Sequence, residues 1–320
     1  MKIVVVDGHT LNPGDLSWAG FEALGECVIY PRSEPQQVVE RCQQADVVLT
    51  NKVVFSDEVM SQLPKLKYLG VLATGYNVVD LAAAHRHCVA VTNIPAYGTH
   101  SVAQFVFAQL LQWAQPVAHY ADSVRRQQWS QCPDFCYYDH SMVELANKTL
   151  GIIGYGSIGR KVAQIASAFE MQVLVHTRTP PADRLPGVKL VDLSTLARES
   201  DVISLHCPLT QSNAGMIDSA FLKAMKSTAY LINTGRGPLV DEDALYRALC
   251  DKQIAGAALD VLNQEPPPAD HPLLALEACT VTPHIAWATV EARSRLMGIA
   301  VDNLSAFLMG HKANRLDDLN

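Results

Sequence analysis

The sequence predicts an α/β protein of two domains, each built on a parallel sheet, and three observations predict it. Short apolar strand candidates recur between helical stretches at residues 3–6, 47–50, 68–72 and 89–92, and such alternation implies a parallel sheet with helices on both faces. A second series, at 150–153, 172–176, 202–205, 230–232, 257–259 and 280–282, starts afresh at a glycine-rich turn, so the first series reads as a separate α/β domain. At 320 residues the chain is long enough for two domains of ordinary size.

The second series opens with Leu150-Gly-Ile-Ile-Gly-Tyr-Gly-Ser-Ile-Gly159, a strand run against a G-x-G-x-x-G turn. Gly154 allows the tight turn, Gly156 lets the backbone approach a pyrophosphate, and Gly159 lets the new helix pack on the sheet. Ser157 and Ile158 begin that helix, whose unpaired N–H groups and positive dipole end favour an anion. Such turns also occur as plain turns and in methyltransferases. The helical pattern Ile158, Val162, Ile165, Ala166, Phe169 and the strand at 172–176 complete a β-α-β unit and select a Rossmann-type dinucleotide site.

Each later strand candidate ends in polar or special residues: His206-Cys207-Pro208, Asn233-Thr234-Gly235-Arg236-Gly237, Asp260 and Pro283-His284. Ligands of doubly wound sheets sit outside the carboxyl ends of the strands, so these clusters are expected around the cofactor. Residues 101–120 carry no Asp, Glu, Lys or Arg and read as one helix buried in the domain or against a second subunit. The following stretch, 125–147, holds Trp129, Phe135, Tyr137 and Tyr138. It is either a packed loop or a dimer contact, and the dimer contact is favoured, with an arm at about 120–147. A final helix over 291–309 ends at Gly310.

A net charge of -7 without a basic run argues against nucleic acid and for small metabolites. The N-terminal apolar run is too short for a signal peptide or membrane span and reads as a buried strand, so a cytoplasmic protein is expected. Eight scattered cysteines read as free thiols, and Cys132 and Cys136 lack the partners of a tetrahedral site. His85, His87, His100 and His119 show no ligand spacing either, and no metal is expected.

Arg236, Glu265 and His284 fall at or shortly after strand ends. Reducing a 2-keto acid needs a cation for the carboxylate, a proton donor for the carbonyl oxygen and a hydride source. Arg offers a fork matching a carboxylate, His gives up a proton near neutrality, and a carboxylate beside that His fixes its tautomer. The stretches Asn233-Thr-Gly-Arg-Gly-Pro-Leu-Val-Asp241, Gly256-Ala-Ala-Leu-Asp-Val-Leu-Asn-Gln-Glu-Pro266 and Thr282-Pro-His-Ile-Ala-Trp287, with the glycine turn, resemble the D-isomer-specific 2-hydroxyacid dehydrogenases over nearly the whole chain.

The resemblance implies a catalytic Arg at Arg236, Glu265 orienting the acid/base His284, and Asp260 against the nicotinamide carboxamide. It places His206, Cys207 and Pro208 in the cofactor groove together with Thr234 and Gly235. Backbone N–H groups of Ala73, Thr74 and Gly75 would receive the substrate carboxylate. It further implies two Rossmann-like or flavodoxin-like domains, with the active site in the cleft between them and closure over the cofactor. The substrate-binding domain would be residues 1–98 and 287–320, the NAD(P)-binding domain 99–286, and the assembly a homodimer.

An NAD site places an acid at the end of the second strand. Here that strand ends His176-Thr177-Arg178; a hydroxyl and a guanidinium suit a 2′-phosphate, so NADP or NAD is expected as cofactor with NADPH favoured, unless Arg178 merely faces solvent. Trp287, the opening 7–13 and the stretch 133–138 most resemble glycerate dehydrogenases and hydroxypyruvate or glyoxylate reductases, and the indole would shorten a pocket in favour of small 2-keto acids. Glu265 stands where formate dehydrogenases carry Gln. Alternatives are a short phosphoglycerate or D-lactate type of dehydrogenase and, from another class, a nucleotide-sensing corepressor-like binding protein.

Overall fold

The structure, a computed structural model, describes residues 1–180 and 182–316. The chain divides into two compact units: Met1–Gly98 together with the chain from Trp287 on, and Thr99–Ala286.

In the first unit five strands, β1 (Lys2–Val5), β2 (Glu26–Ile29), β3 (Val47–Thr50), β4 (Tyr68–Val71) and β5 (Ala90–Thr92), form an all-parallel sheet in the order β2-β1-β3-β4-β5. The crossovers carry α1 (Ala19–Glu22), α2 (Pro35–Cys42), α3 (Asp57–Ser61) and α4 (Leu81–Arg86). Alternation along β1 explains the near-continuous apolar runs. Val4 and Val6 pack with Val48, Leu69, Val71 and Val91 on one face, whereas Ile3 and Val5 pack with Leu49 and Tyr68 on the other. A strand covered on both faces has no solvent side to spend on polar residues. The sequence pattern misses β2, a half-buried edge strand.

The second unit begins with α5 (Thr99–Ala114) and α6 (Val117–Arg125). The single helix expected over 101–120 is therefore two. Pro116 caps the second, and its ring lacks an N–H and blocks the preceding turn. Then come β6 (Thr149–Ile153), α7 (Ser157–Ala168), β7 (Gln172–His176), β8 (Val188–Leu190), α8 (Leu193–Glu199), β9 (Val202–Leu205), α9 (Ser219–Ala224), β10 (Tyr230–Asn233), α10 (Glu242–Cys250), β11 (Gly256–Leu259) and β12 (Cys279–Val281). The seven strands are all parallel in the order β12-β11-β10-β9-β6-β7-β8. Read from β8, the order is that of a dinucleotide-binding sheet with one strand added at its far edge, and the direction of winding reverses between β6 and β9.

The charge-free α5 is buried as expected. Val106, Phe107 and Leu110 join Val162 and Ala166 of α7, and Trp113 stacks on Tyr230 with ring centroids 4.7 Å apart. The first unit is completed by α11 (Val290–Leu308), which lays Leu296, Ala300 and Leu304 on the β1/β3/β4 face. Gly310, at φ 76°, ends it in the left-handed conformation that a helix stop favours.

Candidate active site and cofactor cradle

At the reversal point the glycine turn is fitted to its neighbours. A Cβ on Gly154, whose φ is 99°, would lie 2.5 Å from the Cys207 nitrogen and 2.6 Å from the His206 carbonyl carbon. A Cβ on Gly159 would lie 2.1 Å from the Gly154 carbonyl oxygen. Around Gly156, by contrast, a Cβ would meet nothing within 4 Å. That space adjoins the start of α7, where the N–H groups of Gly156, Ser157, Ile158 and Gly159 donate to no group among the described residues. Nearby strand ends contribute the Thr234 hydroxyl, buried and without a hydrogen-bond partner among the described residues, and His206. Burial keeps His206 neutral, pushing its pKa down to about 3, and its Nε2 lies 2.9 Å from Ser204 Oγ. Open donors at a helix start, a space beside Gly156 and an orphaned hydroxyl fit a bound dinucleotide.

At the end of β7, Thr177 donates through Oγ1 to the Thr179 carbonyl at 3.3 Å. The exposed Arg178 has no hydrogen bond or ion pair among the described residues. The next acid along the chain, Asp183, is 3.1 Å from Arg160, whose guanidinium lies over the Tyr155 ring.

The catalytic candidates come from three strand ends of the same unit. Arg236 follows β10 in a turn held by the buried Asn233, whose side chain accepts from Gly235 N at 3.0 Å and donates to the Arg236 carbonyl at 2.8 Å. Glu265 accepts from Leu262 N at 3.1 Å through Oε1 and lies 2.7 Å from His284 Nδ1 through Oε2. The corner carrying it is fastened again by Glu242, which accepts from Asn263 N at 2.7 Å and lies 3.3 Å from His271 Nε2. His284 has φ 55°, a conformation costly for a residue with a side chain and typical of functional sites held by their surroundings.

Asp260 supplies much of that hold. Its carboxylate, 2% exposed, accepts from the Thr282 hydroxyl at 2.7 Å, Ile285 N at 2.9 Å and Ala286 N at 2.8 Å. Ser101 donates to the Ala286 carbonyl at 2.6 Å, and Gln109 reaches Thr282 at 3.3 Å. The Asp260 that sequence reading expects beside the nicotinamide carboxamide thus also clamps the loop that carries His284. Glu242, Ser101 and Gln109 are supporting residues that sequence reading does not reach, and Asn233, which it groups with the strand-end clusters, holds the Arg236 turn.

The profile of the D-isomer specific 2-hydroxyacid dehydrogenase NAD-binding domain matches residues 107–286. The chain belongs to that family. The dehydrogenase is 45% identical over 318 residues to a hydroxypyruvate reductase of Blautia hydrogenotrophica, covering 98% of this chain and 99% of the relative. Among solved structures it resembles an acyclic imino acid reductase in complex with NADPH and D-Arg (TM-score 0.85, 29% identity, 99% of this chain and 100% of the other). It also resembles the D-lactate dehydrogenase of Lactobacillus jensenii with NAD+ (TM-score 0.82, 29% identity, 98% and 99% covered). The family's chemistry makes the dehydrogenase an NAD(P)-dependent oxidoreductase acting on a small 2-hydroxy acid or its keto form.

The remaining candidates belong to the first unit. Ala73, Thr74 and Gly75 follow β4; Thr74 donates to the Ile94 carbonyl at 2.7 Å, and Asn93 to the Thr74 carbonyl at 2.8 Å. The N–H groups of Thr74 and Gly75 donate to no group among the described residues. Trp287 packs edge-on against Tyr97, 6.3 Å between centroids. Asp7, after β1, accepts from Asn51, Lys52 and Val53 N at 2.8, 2.6 and 3.1 Å and so joins the loops after two adjacent strands where winding reverses. That is the other position sequence reading misses, since it needs the unread β2 to fix the strand order.

Among the described residues no helix is long and apolar enough to cross a membrane. The expectation that the histidines show no ligand spacing fails at one place: His119 and His140 come together on either side of Asp139. His119 lies on α6 and His140 in the loop 20 residues beyond Tyr120, a fold-back that local spacing does not reveal.

Proposed function

We propose that the dehydrogenase reduces hydroxypyruvate, and glyoxylate as a smaller analogue, to the D-2-hydroxy acid, with NADPH preferred over NADH. The observation that carries the reading is the 2.7 Å pair of Glu265 and His284 on a loop clamped by Asp260. A carboxylate at Nδ1 fixes the tautomer and aim of the ring, so that Nε2 is the atom that exchanges a proton.

A bound nicotinamide supplies the hydride. His284 gives its proton to the oxygen as charge develops there, and Arg236 binds the carboxylate and polarises the carbonyl. Thr74 and Gly75, with Ala73, are the proposed backbone donors to the carboxylate. Gly154, Gly156, Ser157, Ile158, Gly159, His176, His206, Cys207, Pro208, Thr234 and Gly235 are the proposed cofactor contacts. Trp287 limits substrate length. The preference for NADPH is supported by Arg178, which has no partner among the described residues, beside Thr177 where an acid would repel the 2′-phosphate.

A homodimer through the arm after α6 is part of the same reading. Trp129, Phe135, Tyr138 and Met142 are all exposed there, Phe135 to 90%, which suits a surface covered by a second copy.

The test is kcat/KM for hydroxypyruvate, glyoxylate, pyruvate and 3-phosphohydroxypyruvate, each with NADPH and NADH. Fastest turnover of hydroxypyruvate with NADPH is expected; preference for pyruvate or the phosphorylated acid would overturn the substrate assignment.

A further inference from the structure

We propose that His119, Asp139 and His140 form a binding site for a divalent transition metal of the zinc class on the arm after α6, separate from the catalytic residues. One ligand atom from each residue lies within 4.8 Å of the others. His119 Nε2 is 3.0 Å from Asp139 Oδ2, and His140 Nδ1 is 2.8 Å from Asp139 Oδ1. Nitrogen and oxygen ligands about 2.0–2.2 Å from a zinc ion at tetrahedral or octahedral angles stand roughly 3.0–3.5 Å apart, so the two nitrogen–oxygen separations already lie near that range, and the imidazoles, with ligand atoms within 4.8 Å of each other, would close on the ion by rotating about their side-chain bonds. Two imidazoles and one carboxylate suit zinc, nickel or copper and discriminate against magnesium and calcium, which prefer all-oxygen shells.

The set is held in place before any ion arrives. The Tyr120 hydroxyl accepts from Asp139 N and His140 N, both at 3.2 Å, which ties the loop to the helix bearing His119. Tyr137 bonds Ser123 on the same helix. The two imidazole rings sit 4.4 Å apart with their planes at 62°, so they meet at the carboxylate without stacking on each other. In the single chain all three side chains reach solvent, which leaves coordination positions for water or for a group brought by a second copy. The ring nitrogens that now face the carboxylate would face the ion instead, each neutral imidazole then carrying its proton on its other nitrogen.

Calorimetric titration of Zn2+ into protein freed of any affinity tag, with Co2+ absorption as a second readout of nitrogen ligation, tests this. One saturable equivalent is expected in the wild type. His119→Ala, His140→Ala and the near-isosteric Asp139→Asn should each weaken it at least about tenfold, the lower end of what disturbing even a supporting partner costs. His284→Ala and Cys132→Ser/Cys136→Ser should leave it unchanged. No saturable uptake by the wild type, uptake undiminished in the histidine variants, or loss that follows His284 or the cysteines would each overturn the site. None of these outcomes bears on the reductase activity, so the two readings stand or fall apart.

Discussion

Gly237 presses on Leu262: a Cβ at its position would fall 2.1 Å from the Leu262 carbonyl carbon and oxygen and 2.5 Å from Asn263 N. The turn of Arg236 and the corner of Glu265 are thereby packed backbone to backbone. Gly237→Ala must push the corner away, at a cost of about 1–3 kcal/mol, and displace Glu265 through Leu262. Both the urea midpoint and kcat are expected to fall; an alanine variant with unchanged kcat would show that the two turns move independently.

His284→Ala is expected to lower kcat at least about a hundredfold, the usual size of an acid/base contribution. Glu265→Ala should lower it less while leaving KM nearly in place, because the ring loses the carboxylate that fixes its tautomer and aim. Unchanged kcat would reduce Glu265 to packing.

Arg178→Ala is expected to reduce kcat/KM for NADPH by about tenfold or more, roughly 1.4 kcal/mol or upward, while leaving NADH nearly unchanged. Steady-state kinetics with both cofactors decide this, and equal losses would take Arg178 away from the 2′-phosphate.

Asp192 caps α8, accepting from Thr195 N and from the Ser194 and Thr195 hydroxyls, which push its carboxyl down to about 2. A folded-state value below the usual carboxylate value of about 3.9 means a stabilisation present above that pH and lost as pH falls toward 2. The difference in urea midpoint between wild type and Asp192→Ala should therefore be full near neutrality and shrink below about pH 4. A constant difference would assign the cap's worth to the hydrogen-bond geometry alone.

The wild type is expected to sediment as a dimer, and Phe135→Ser combined with Tyr138→Ser as a monomer with the far-UV spectrum retained. A variant that stays dimeric would move the contact off the arm.

Strands β3 and β9 are legible because each is a short apolar run fully buried and bounded by polar residues. The edge strands β2 and β8 are only partly buried, and their mixed residues carry no comparable pattern. The helix break at Pro116 is written in the sequence but is overridden there by the uniform apolar character on both sides. Arg236, Glu265 and His284 stand out through their residue types at strand ends. Ser101 and Gln109 do not, because each holds a distant part of the chain, Ser101 a carbonyl 185 residues away and Gln109 the Thr282 hydroxyl. Asp260 is found by its position at the end of β11, whereas its clamp on the His284 loop emerges only with coordinates.

The chain passes between its two units only at 98–99 and at 286–287, and the Asp260 clamp closes at Ala286, one residue before the second crossing. The proposed proton donor, its orienting carboxylate and the proposed cofactor cradle thus all lie within one continuous stretch, Thr99–Ala286. The flanking segments can be exchanged for those of a relative without cutting a single one of the hydrogen bonds that aim His284 at its work from Glu265 and Asp260.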